Sequence, residues 1–251
     1  MAICKSEAVV TKSLKLGETS KIVWLYTRDF GKVKVVAKGA RNPKSRFGSS
    51  LELFTHSAVV FYKKDRRDLQ LLSQSDILRH FGAFEADVAR FAFASAVIEL
   101  LESMVMGEEP HPPLFRLLLD TLARLETCPR PGLRTVFWAF ELQAADLLGY
   151  KPELSKCARC GKEDELLRFA PLKGGLICRA CSSKDSDSFE VSAEARDFLR
   201  RLQATPVSDG AVDAAGPKLE AEIDRIVEVF LQYHVDRLPG LKSLRLVKNL
   251  K

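Results

Sequence analysis

The sequence lacks the long apolar run that a membrane-spanning helix needs, because none of its hydrophobic stretches approaches about 18 residues. Its first ten residues carry Lys5 and Glu7 inside a short apolar stretch, which argues against a signal peptide. The chain has 251 residues, of which 46% are hydrophobic, and this fraction excludes intrinsic disorder. We therefore expect a soluble, cytoplasmic protein of one or two domains with no membrane partner.

The motifs of several enzyme classes are missing as well. No GxxxxGK(S/T) sequence is present, which excludes a Walker-A ATPase, and no GxGxxG opens a helix after a strand. The four histidines stand apart from one another, and no Ser/His/Asp grouping or paired acidic motif accompanies them. The sequence thus offers no catalytic residues, and we expect a protein that is not an enzyme and has no small-molecule substrate.

Positive charge is concentrated at the beginning of the chain. The net charge is +6, but residues 1–79 hold 16 Lys and Arg against 7 Asp and Glu, while the remaining 172 residues hold 23 against 26. A basic first third followed by a slightly acidic remainder favours a module that binds a polyanion, attached to a neutral body. A basic surface that is merely solvated explains the charge alone equally well.

Cysteine is scarce and unevenly placed. Four of the six residues form two CxxC pairs separated by 17 residues, whereas Cys4 and Cys128 stand alone. A secreted disulfide framework would spread its cysteines along a short chain, so this clustering favours a reducing compartment and a metal site. The predicted metal ligands are Cys157, Cys160, Cys178 and Cys181.

Zinc is the metal that this spacing favours. Each CxxC pair places two thiolates on one tight turn, and two turns close a tetrahedral site with zinc–sulfur bonds of about 2.3 Å. Four cysteine ligands leave no open position for a substrate, so we expect one structural zinc ion. The apolar segments around Pro171 and Gly174 predict the hairpin of a zinc ribbon. A redox CxxC is the alternative, but the segment lacks the βαβ context of a thioredoxin.

Five short strands are predicted in residues 1–79. From 32 to 38, apolar residues alternate with lysines, which is typical of a half-buried strand with a basic outer face. In the first strand, Val10, Leu14 and Leu16 are expected to share one side. Five strands in this length favour a small oligonucleotide-binding (OB) barrel, which would hold nucleic acid on its second and third strands. The predicted strands are residues 9–16, 22–26, 32–38, 58–62 and 69–72.

The hydrophobic period becomes helical after the last predicted strand. Phe84, Val88 and Phe91 begin an apolar stripe that continues to Val105, and Ser192 is a candidate N-cap. Further helices are predicted for residues 114–125, 133–148, 192–202 and 217–234. The predicted fold class is therefore α+β and multidomain, with an OB domain in residues 1–79, a helical domain in 80–154 and 184–251, and a zinc ribbon inserted at 155–183.

A basic loop follows the third predicted strand. Residues 37–48 place four cations within nine positions on a backbone bent by glycine and proline, which suits a track of phosphates. A solvated turn is the alternative for the loop. Phe47 could stack on a base, but packing into the barrel is favoured for its ring, and Trp24 is expected in the core. The predicted DNA contacts are Lys21, Lys34, Lys38, Arg41, Lys44, Arg46, Arg66 and Arg67.

Four segments of the chain match, in order, the motifs of one bacterial family. They are residues 17–23 (GETSKIV), 36–48 (VAKGARNPKSRFG), 148–161 (LGYKPELSKCARCG), and 233–234 with 241–243 (YH and LKS). Over nearly its whole length the chain thus resembles the RecO family of recombination mediator proteins. Asn42 stands where the loop of this family commonly has arginine.

The resemblance implies an OB domain, a helical domain and an inserted zinc ribbon. It also implies that the protein binds single- and double-stranded DNA and anneals complementary strands without ATP. The implied partners are RecR and single-stranded-DNA-binding protein, with which the family loads the RecA recombinase on coated gaps in nucleoid DNA. Some members have lost the zinc cysteines. Because this chain keeps all four, the resemblance implies that it binds the metal.

Two other functions remain open on the sequence. A zinc-ribbon adaptor would bind mainly protein, and its affinity for DNA would depend little on salt. A metal-dependent nuclease would cleave the DNA that it binds, but it would need carboxylates that converge through the fold. A cationic OB face favours the annealing function, because it would neutralise the phosphates of two strands and reduce their repulsion.

Overall fold

The computed structural model describes residues 2–64, 67–105, 107–163, 165–209, 214–235 and 241–244. The chain divides into two compact units, Met1–Ala86 with Val105–Arg116, and Asp87–Met104 with Leu117–Lys251. Among the described residues, every helix is too short or too polar to cross a membrane. The predicted division into an OB domain, a helical domain and an inserted ribbon stays a prediction.

The first unit contains five strands: β1 (Ala2–Leu16), β2 (Ser20–Thr27), β3 (Gly31–Ala37), β4 (His56–Lys63) and β5 (Leu69–Arg79). They form a closed barrel in the order β1-β2-β3-β5-β4. β3 and β5 are parallel, and the other neighbouring strands are antiparallel. The predicted five-stranded OB architecture is therefore confirmed, although β1 and β5 are longer than predicted.

β1 pairs with two neighbours, β4 along residues 2–9 and β2 along residues 8–16. Between Val10 and Lys12 the register with β2 shifts at a β-bulge, which reverses the alternation of side chains. Val10 consequently lies in the barrel core, whereas Leu14 and Leu16 are 47% and 39% exposed. The prediction that these three residues share one side is wrong, because the extra residue at the bulge turns the later side chains to the opposite side of the strand.

Two further segments complete the first unit. The short helix α1 (Ala83–Ala86) contributes Phe84, whose ring lies edge-on 5.2 Å from that of Phe54. Phe115 packs on Tyr26, with ring centroids 6.1 Å apart, and Tyr26 is fully buried. The compact unit thus extends beyond the 79 residues assigned to the predicted OB domain, because the change of hydrophobic period did not reveal these packing segments.

Further helices follow α1 in the described part of the chain, and four of them agree with predicted segments. These further helices are α2 (Val88–Met104), α3 (Pro112–Thr127), α4 (Leu133–Leu147), α5 (Arg179–Ser182), α6 (Ala193–Ala204) and α7 (Pro217–His234). The predicted stripe from Phe84 is interrupted, because the Asp87 carboxylate accepts hydrogen bonds from the first backbone N–H groups of α2. Val88 and Phe91 are exposed, since α2 is apolar around most of its circumference and a stripe does not define its buried face. Ser192 caps α6 as predicted, accepting from the Ala195 N–H at 3.1 Å.

A polar group lies inside the second unit, where α4 meets α7. Trp138 donates its indole N–H to Asp224 at 2.8 Å, and Arg134 donates to the other oxygen of that carboxylate at 2.9 Å. Glu141, one turn further along α4, is buried. Burial raises the pKa of Glu141 well above its ordinary value, the charge of Asp224 raises it further, and Arg134 offsets part of the shift.

A three-stranded sheet in the order β7-β6-β8 forms the cysteine-rich segment of the second unit. Its strands are β6 (Leu166–Ala170), β7 (Gly175–Cys178) and β8 (Phe189–Glu190). β6 and β7 form the predicted hairpin, whereas β8 was not predicted. The sheet packs on α7, with Phe169 6.3 Å from Phe230 between ring centroids and His234 Nε2 3.0 Å from the Pro171 carbonyl oxygen.

Two glycines with the same backbone conformation provide a matched pair of variants. Gly31 has a φ of +61° and Gly17 a φ of +57°. A Cβ on Gly31 would lie 2.5 Å from the carbonyl oxygen of Glu109, whereas a Cβ on Gly17 would have open space. We expect Gly17→Ala to cost on the order of 1–3 kcal/mol from backbone strain alone, and Gly31→Ala to cost clearly more. Chemical denaturation measures both losses. Equal losses in the two variants would show that the Glu109 backbone does not restrict the space beside Gly31.

Glu141 should make the stability of the second unit depend on pH. In the unfolded chain this group ionises near its ordinary pKa of 4.5. Above that pH the folded state retains a proton that the unfolded state has lost, so stability falls as pH rises towards the raised folded pKa. We expect Glu141→Gln to flatten the decline in melting temperature as pH rises above 4.5. Glu18→Gln, which removes an exposed carboxylate, is the control and should leave the decline unchanged.

Candidate nucleic-acid interface and metal centre

The outer face of β2 carries a tryptophan between two lysines. Lys12 on β1 and Lys34 on β3 are the register partners of Trp24, and each ammonium nitrogen lies 5.0 Å from the centroid of its ring. Cation–π contacts of this exposure are worth about 0.5–1 kcal/mol each. Because Val23 and Leu25 are core residues, strand alternation directs Trp24 outward, where it is half-buried. The prediction that Trp24 lies in the core is wrong.

The adjacent row on this face is apolar. Leu14, Ile22, Val36 and Leu71 are register partners across β1, β2, β3 and β5. Leu14 and Leu71 are 47% and 36% exposed. The face thus offers both cations and apolar surface, a combination that suits a ligand with phosphates and flat bases. No Asp or Glu occurs in the strand segments concerned, which are residues 12–16, 20–27, 31–37 and 69–72.

The basic loop between β3 and β4 is anchored by its own apolar side chains. Phe47 and Leu51 are 3% and 1% exposed and belong to the barrel core. The favoured reading of Phe47 as a packing residue is therefore confirmed, and its ring is not accessible to a base. The guanidinium of Arg46 lies 5.1 Å from the centroid of that ring. The loop thus presents its cations from a backbone that is tied into the core.

Arg41 connects the basic loop to the turn between β1 and β2. Its backbone N–H donates to the Thr19 carbonyl at 2.8 Å, and its guanidinium donates to the Gly17 carbonyl at 2.7 Å. The turn precedes β2 and the loop follows β3, and the first residues of β2 pair with the last of β3. The two connections therefore lie at the same edge of the barrel, beside the outer face of β2 and β3.

The predicted DNA contacts occupy different environments. Lys21 is ion-paired with Glu52 at 2.8 Å, a surface pair of the kind that contributes about 0–1 kcal/mol. Lys34 lies beside Trp24, and Arg66 falls outside the described residues. All eight contacts stay predictions, and five of them are exposed: Lys38, Arg41, Lys44, Arg46 and Arg67.

The four predicted metal ligands converge at one end of the ribbon. The sulfur atoms of Cys157, Cys160, Cys178 and Cys181 all lie within 4.8 Å of one another. A tetrahedron with metal–sulfur bonds of about 2.3 Å has sulfurs about 3.8 Å apart, and the Cys160 and Cys178 sulfurs are separated by 3.8 Å. A disulfide would need a distance of about 2.05 Å. The cluster could therefore hold a metal ion.

Backbone hydrogen bonds fix the first CxxC turn to β7. The Gly161 N–H donates to the Cys157 carbonyl at 2.8 Å, and the Ala158 N–H donates to the Leu176 carbonyl at 2.8 Å. Gly161 has a φ of +74°, which lets the chain reverse after its second cysteine. Cys178 ends β7 and donates its N–H to the Cys157 sulfur at 3.4 Å. The two CxxC pairs are thus held together by the hairpin itself.

Two thiols of the cluster have pKa values that are shifted in opposite directions. Burial raises the pKa of the Cys157 thiol, but the backbone N–H groups of Cys178, Cys160 and Arg159 outweigh it and lower this pKa to about 6. Desolvation, then hydrogen bonds with the neighbouring thiols and the charge of Cys157, raises the pKa of Cys181 to about 12. A bound cation would favour the thiolate form of the cysteines that ligate it.

Sequence reasoning missed two contributions to these sites. Lys12 and Trp24 meet on the barrel face through strand register, which no single segment of sequence reveals. The sequence did contain a signal for the orientation of Trp24. Successive residues of a strand face opposite sides, so a ring between the apolar Val23 and Leu25 faces outward if these two residues face the core. The contact of His234, at the end of α7, with the ribbon at Pro171 depends on tertiary packing.

Two family models together match almost all of the chain. The N-terminal region of recombination protein O matches residues 1–81, and the C-terminal region of recombination protein O matches residues 85–245.

Curated relatives match over their full length. The DNA repair protein RecO of Symbiobacterium thermophilum is 31% identical over 258 residues, which cover 100% of this chain and 99% of the relative. The protein of the same name from Rubrobacter xylanophilus is 36% identical over 247 residues, covering 97% and 96%. That from Streptomyces coelicolor is 34% identical over 257 residues, covering 99% and 100%.

Proposed function

The chain belongs to the RecO family of DNA repair and recombination proteins, and from that premise we propose that it binds DNA on the outer face of its barrel. The observation that carries this proposal is the face itself. Lysines and apolar side chains share it, and the strand segments that form it contain no carboxylate. The strand 2–3 face is also where OB folds hold oligonucleotides.

The proposed phosphate contacts belong to β2 and β3, to the basic loop beside them, and to the chain between β4 and β5. The loop supplies exposed cations on a backbone held by Phe47 and Arg41. Each cation that contacts a phosphate releases counterions, which makes binding weaken as salt is added. The proposed contacts are Lys21, Lys34, Lys38, Arg41, Lys44, Arg46, Arg66 and Arg67.

Strand annealing is the activity that such a surface supports. Two complementary strands repel each other through their phosphates, and a cationic surface that binds both reduces the repulsion before pairing begins. The step needs neither a nucleophile nor a nucleotide. We therefore propose that the protein anneals single strands without ATP and is not an enzyme, and that duplex DNA binds through the same cations.

Family membership supports the proposed partners. RecR and single-stranded-DNA-binding protein would act with this chain on coated gaps, where RecA is loaded, and the working location would be the nucleoid. The proposed division of labour assigns DNA to residues 1–79. The helical residues 80–154 and 184–251, with the ribbon at 155–183, would provide the structural body.

We further propose that the metal at the cysteine cluster is one zinc ion with a structural role. Four cysteine sulfurs that all lie within 4.8 Å of one another, with those of Cys160 and Cys178 3.8 Å apart, suit zinc and leave no coordination position for a substrate. The ribbon has three short strands and packs on α7 through Phe169. Metal binding would supply folding free energy, of order 10–16 kcal/mol in finger peptides, to a segment with little core of its own.

An annealing assay tests the proposed function. Complementary oligonucleotides carry fluorescent labels, and energy transfer between the labels measures how many strands have paired. The assay runs without nucleotide, at two salt concentrations, on bare strands and on strands coated with the cognate single-stranded-DNA-binding protein. We expect annealing on both, weakening as salt rises. Absence of annealing by a folded protein would contradict the proposal and favour the adaptor function. Cleavage of the strands would indicate a nuclease.

The double variant Arg41→Glu with Arg46→Glu tests the basic loop. Each lost contact should reduce the salt slope of single-strand binding by about 0.7, or about 1.4 for the pair, and weaken affinity. Lys184→Glu with Lys218→Glu makes the same change in net charge at exposed positions of the second unit and is the control. If the loop variant keeps both the affinity and the slope of the wild type, the loop assignment is wrong.

Cys157→Ser tests the zinc site. We expect the purified wild type to contain one zinc per chain by elemental analysis, and the variant to lose zinc and melt at a lower temperature. Cys128→Ser changes a buried cysteine outside the cluster and should keep the metal. A Cys157→Ser protein that is as stable as the wild type but has lost DNA binding would contradict a structural role for the zinc.

A further inference from the structure

We propose that Trp24 is a stacking platform for one unpaired base, and that Lys12 and Lys34 bind the phosphates on either side of that base. The inference rests on the proposed DNA binding and adds a subsite to it, with a ligand class: an unstacked nucleobase in a single strand. The barrel would then distinguish single-stranded from duplex DNA at this residue.

The orientation of the Trp24 ring is the first argument. Val23 and Leu25 belong to the core, so Trp24 stands on the outer side of β2. A ring used only for packing would be expected among other apolar side chains, but the register neighbours of Trp24 are two lysines. Trp138, the other tryptophan of the chain, shows the contrast, since it is 1% exposed and its indole N–H is bonded to Asp224.

The two lysines are the second argument. Their ammonium nitrogens each lie 5.0 Å from the centroid of the Trp24 ring. The two strands that flank β2 therefore each place one positive charge beside the aromatic surface. A nucleotide presents the complementary arrangement, with a flat base bonded to a backbone of negative charge on both sides. When a base stacks on the ring, the flexible stems allow both ammonium groups to exchange the ring for phosphate oxygens.

The surroundings of Trp24 extend the same track. Along the strands, Ile22 and Val36 of the apolar row are the next outward residues, about 7 Å from the Trp24 row at 3.3 Å per residue. Lys38 opens the basic loop four residues after Lys34, or about 13 Å along the strand direction. A single strand that leaves Trp24 in this direction therefore passes over apolar surface and reaches the loop cations.

Stacking on Trp24 would favour single strands for a geometric reason. In duplex DNA both faces of each base are already stacked on neighbours, so the ring has no base to receive, whereas the loop cations reach phosphates in either form. Removal of the ring should therefore weaken binding of single strands and leave duplex binding unchanged. Loss of the loop cations should weaken both.

Intrinsic fluorescence of the wild-type protein tests the contact without any variant. Trp24 and Trp138 are its two tryptophans, and only Trp24 is accessible to solvent. We expect titration with oligothymidylate to quench the emission and to protect it from iodide. An abasic oligonucleotide of equal length, which has phosphates but no bases, should bind without quenching. Unchanged emission at saturating oligothymidylate would overturn the proposal.

Trp24→Leu removes the stacking surface and keeps an apolar side chain. We expect its affinity for oligothymidylate to fall on the order of tenfold, while its affinities for the abasic strand and for duplex DNA stay at wild-type values. Trp24→Phe keeps an aromatic face and should restore most of the loss. Tyr233→Leu, which removes an exposed aromatic ring from α7, is the matched control.

The outcomes separate this inference from the proposed function. If wild type, variants and loop mutants all fail to bind any DNA, the proposed function is wrong and the inference fails with it. If the wild type binds with a steep salt dependence, but Trp24→Leu binds every DNA as tightly as the wild type, DNA binding stands and the stacking subsite is overturned. Equal weakening on oligothymidylate, abasic strand and duplex would also overturn it, because that result indicates a structural defect.

Discussion

The closed barrel depends on β1, which hydrogen-bonds with β4 along residues 2–9 and with β2 along residues 8–16. The β-bulge near Thr11 adds twist where the strand passes from β4 to β2. It also reverses the side of the sheet that each later residue of β1 faces. With strict alternation from Val10, Lys12 would point into the core, where an unpaired charge is costly. The bulge places Lys12 outside, beside Trp24, so the geometry that closes the barrel also composes its outer face.

The second unit meets a different constraint, the convergence of four cysteine sulfurs at one end of a small sheet. The hairpin brings them together through backbone hydrogen bonds, which lower the pKa of Cys157, while desolvation and hydrogen bonds with the neighbouring thiols raise the pKa of Cys181. The ribbon has three short strands and packs on α7 through Phe169 and His234. The small sheet is therefore held both by packing on α7 and by the hydrogen bonds that join its cysteine turns.

The sequence predicted the elements well and their faces less well. Strand and helix positions follow from periodicity, and the cysteine spacing alone identified the cluster that the fold brings together. Leu14, Leu16 and Trp24 were placed on the wrong side, because a bulge is invisible to a period of two and a short apolar run does not show which residues alternate outward. Val88 and Phe91 show the same limit in a helix that is apolar around most of its circumference. Strand register, and with it the Lys12–Trp24–Lys34 row, required the structure.

Barrel closure affects how copies of the protein can contact one another. Along β5, Leu71 pairs with Val36 of β3 on one side and with Tyr62 of β4 on the other, so the backbone beneath this exposed side chain has neighbours within the molecule on both sides. Leu71 therefore contributes apolar surface to the outer face without offering a free edge on which a strand of another copy would add. Copies lined up along one nucleic acid strand would touch each other there through side chains alone. Such contacts are compatible with reversible assembly, because the sheet cannot grow at that position.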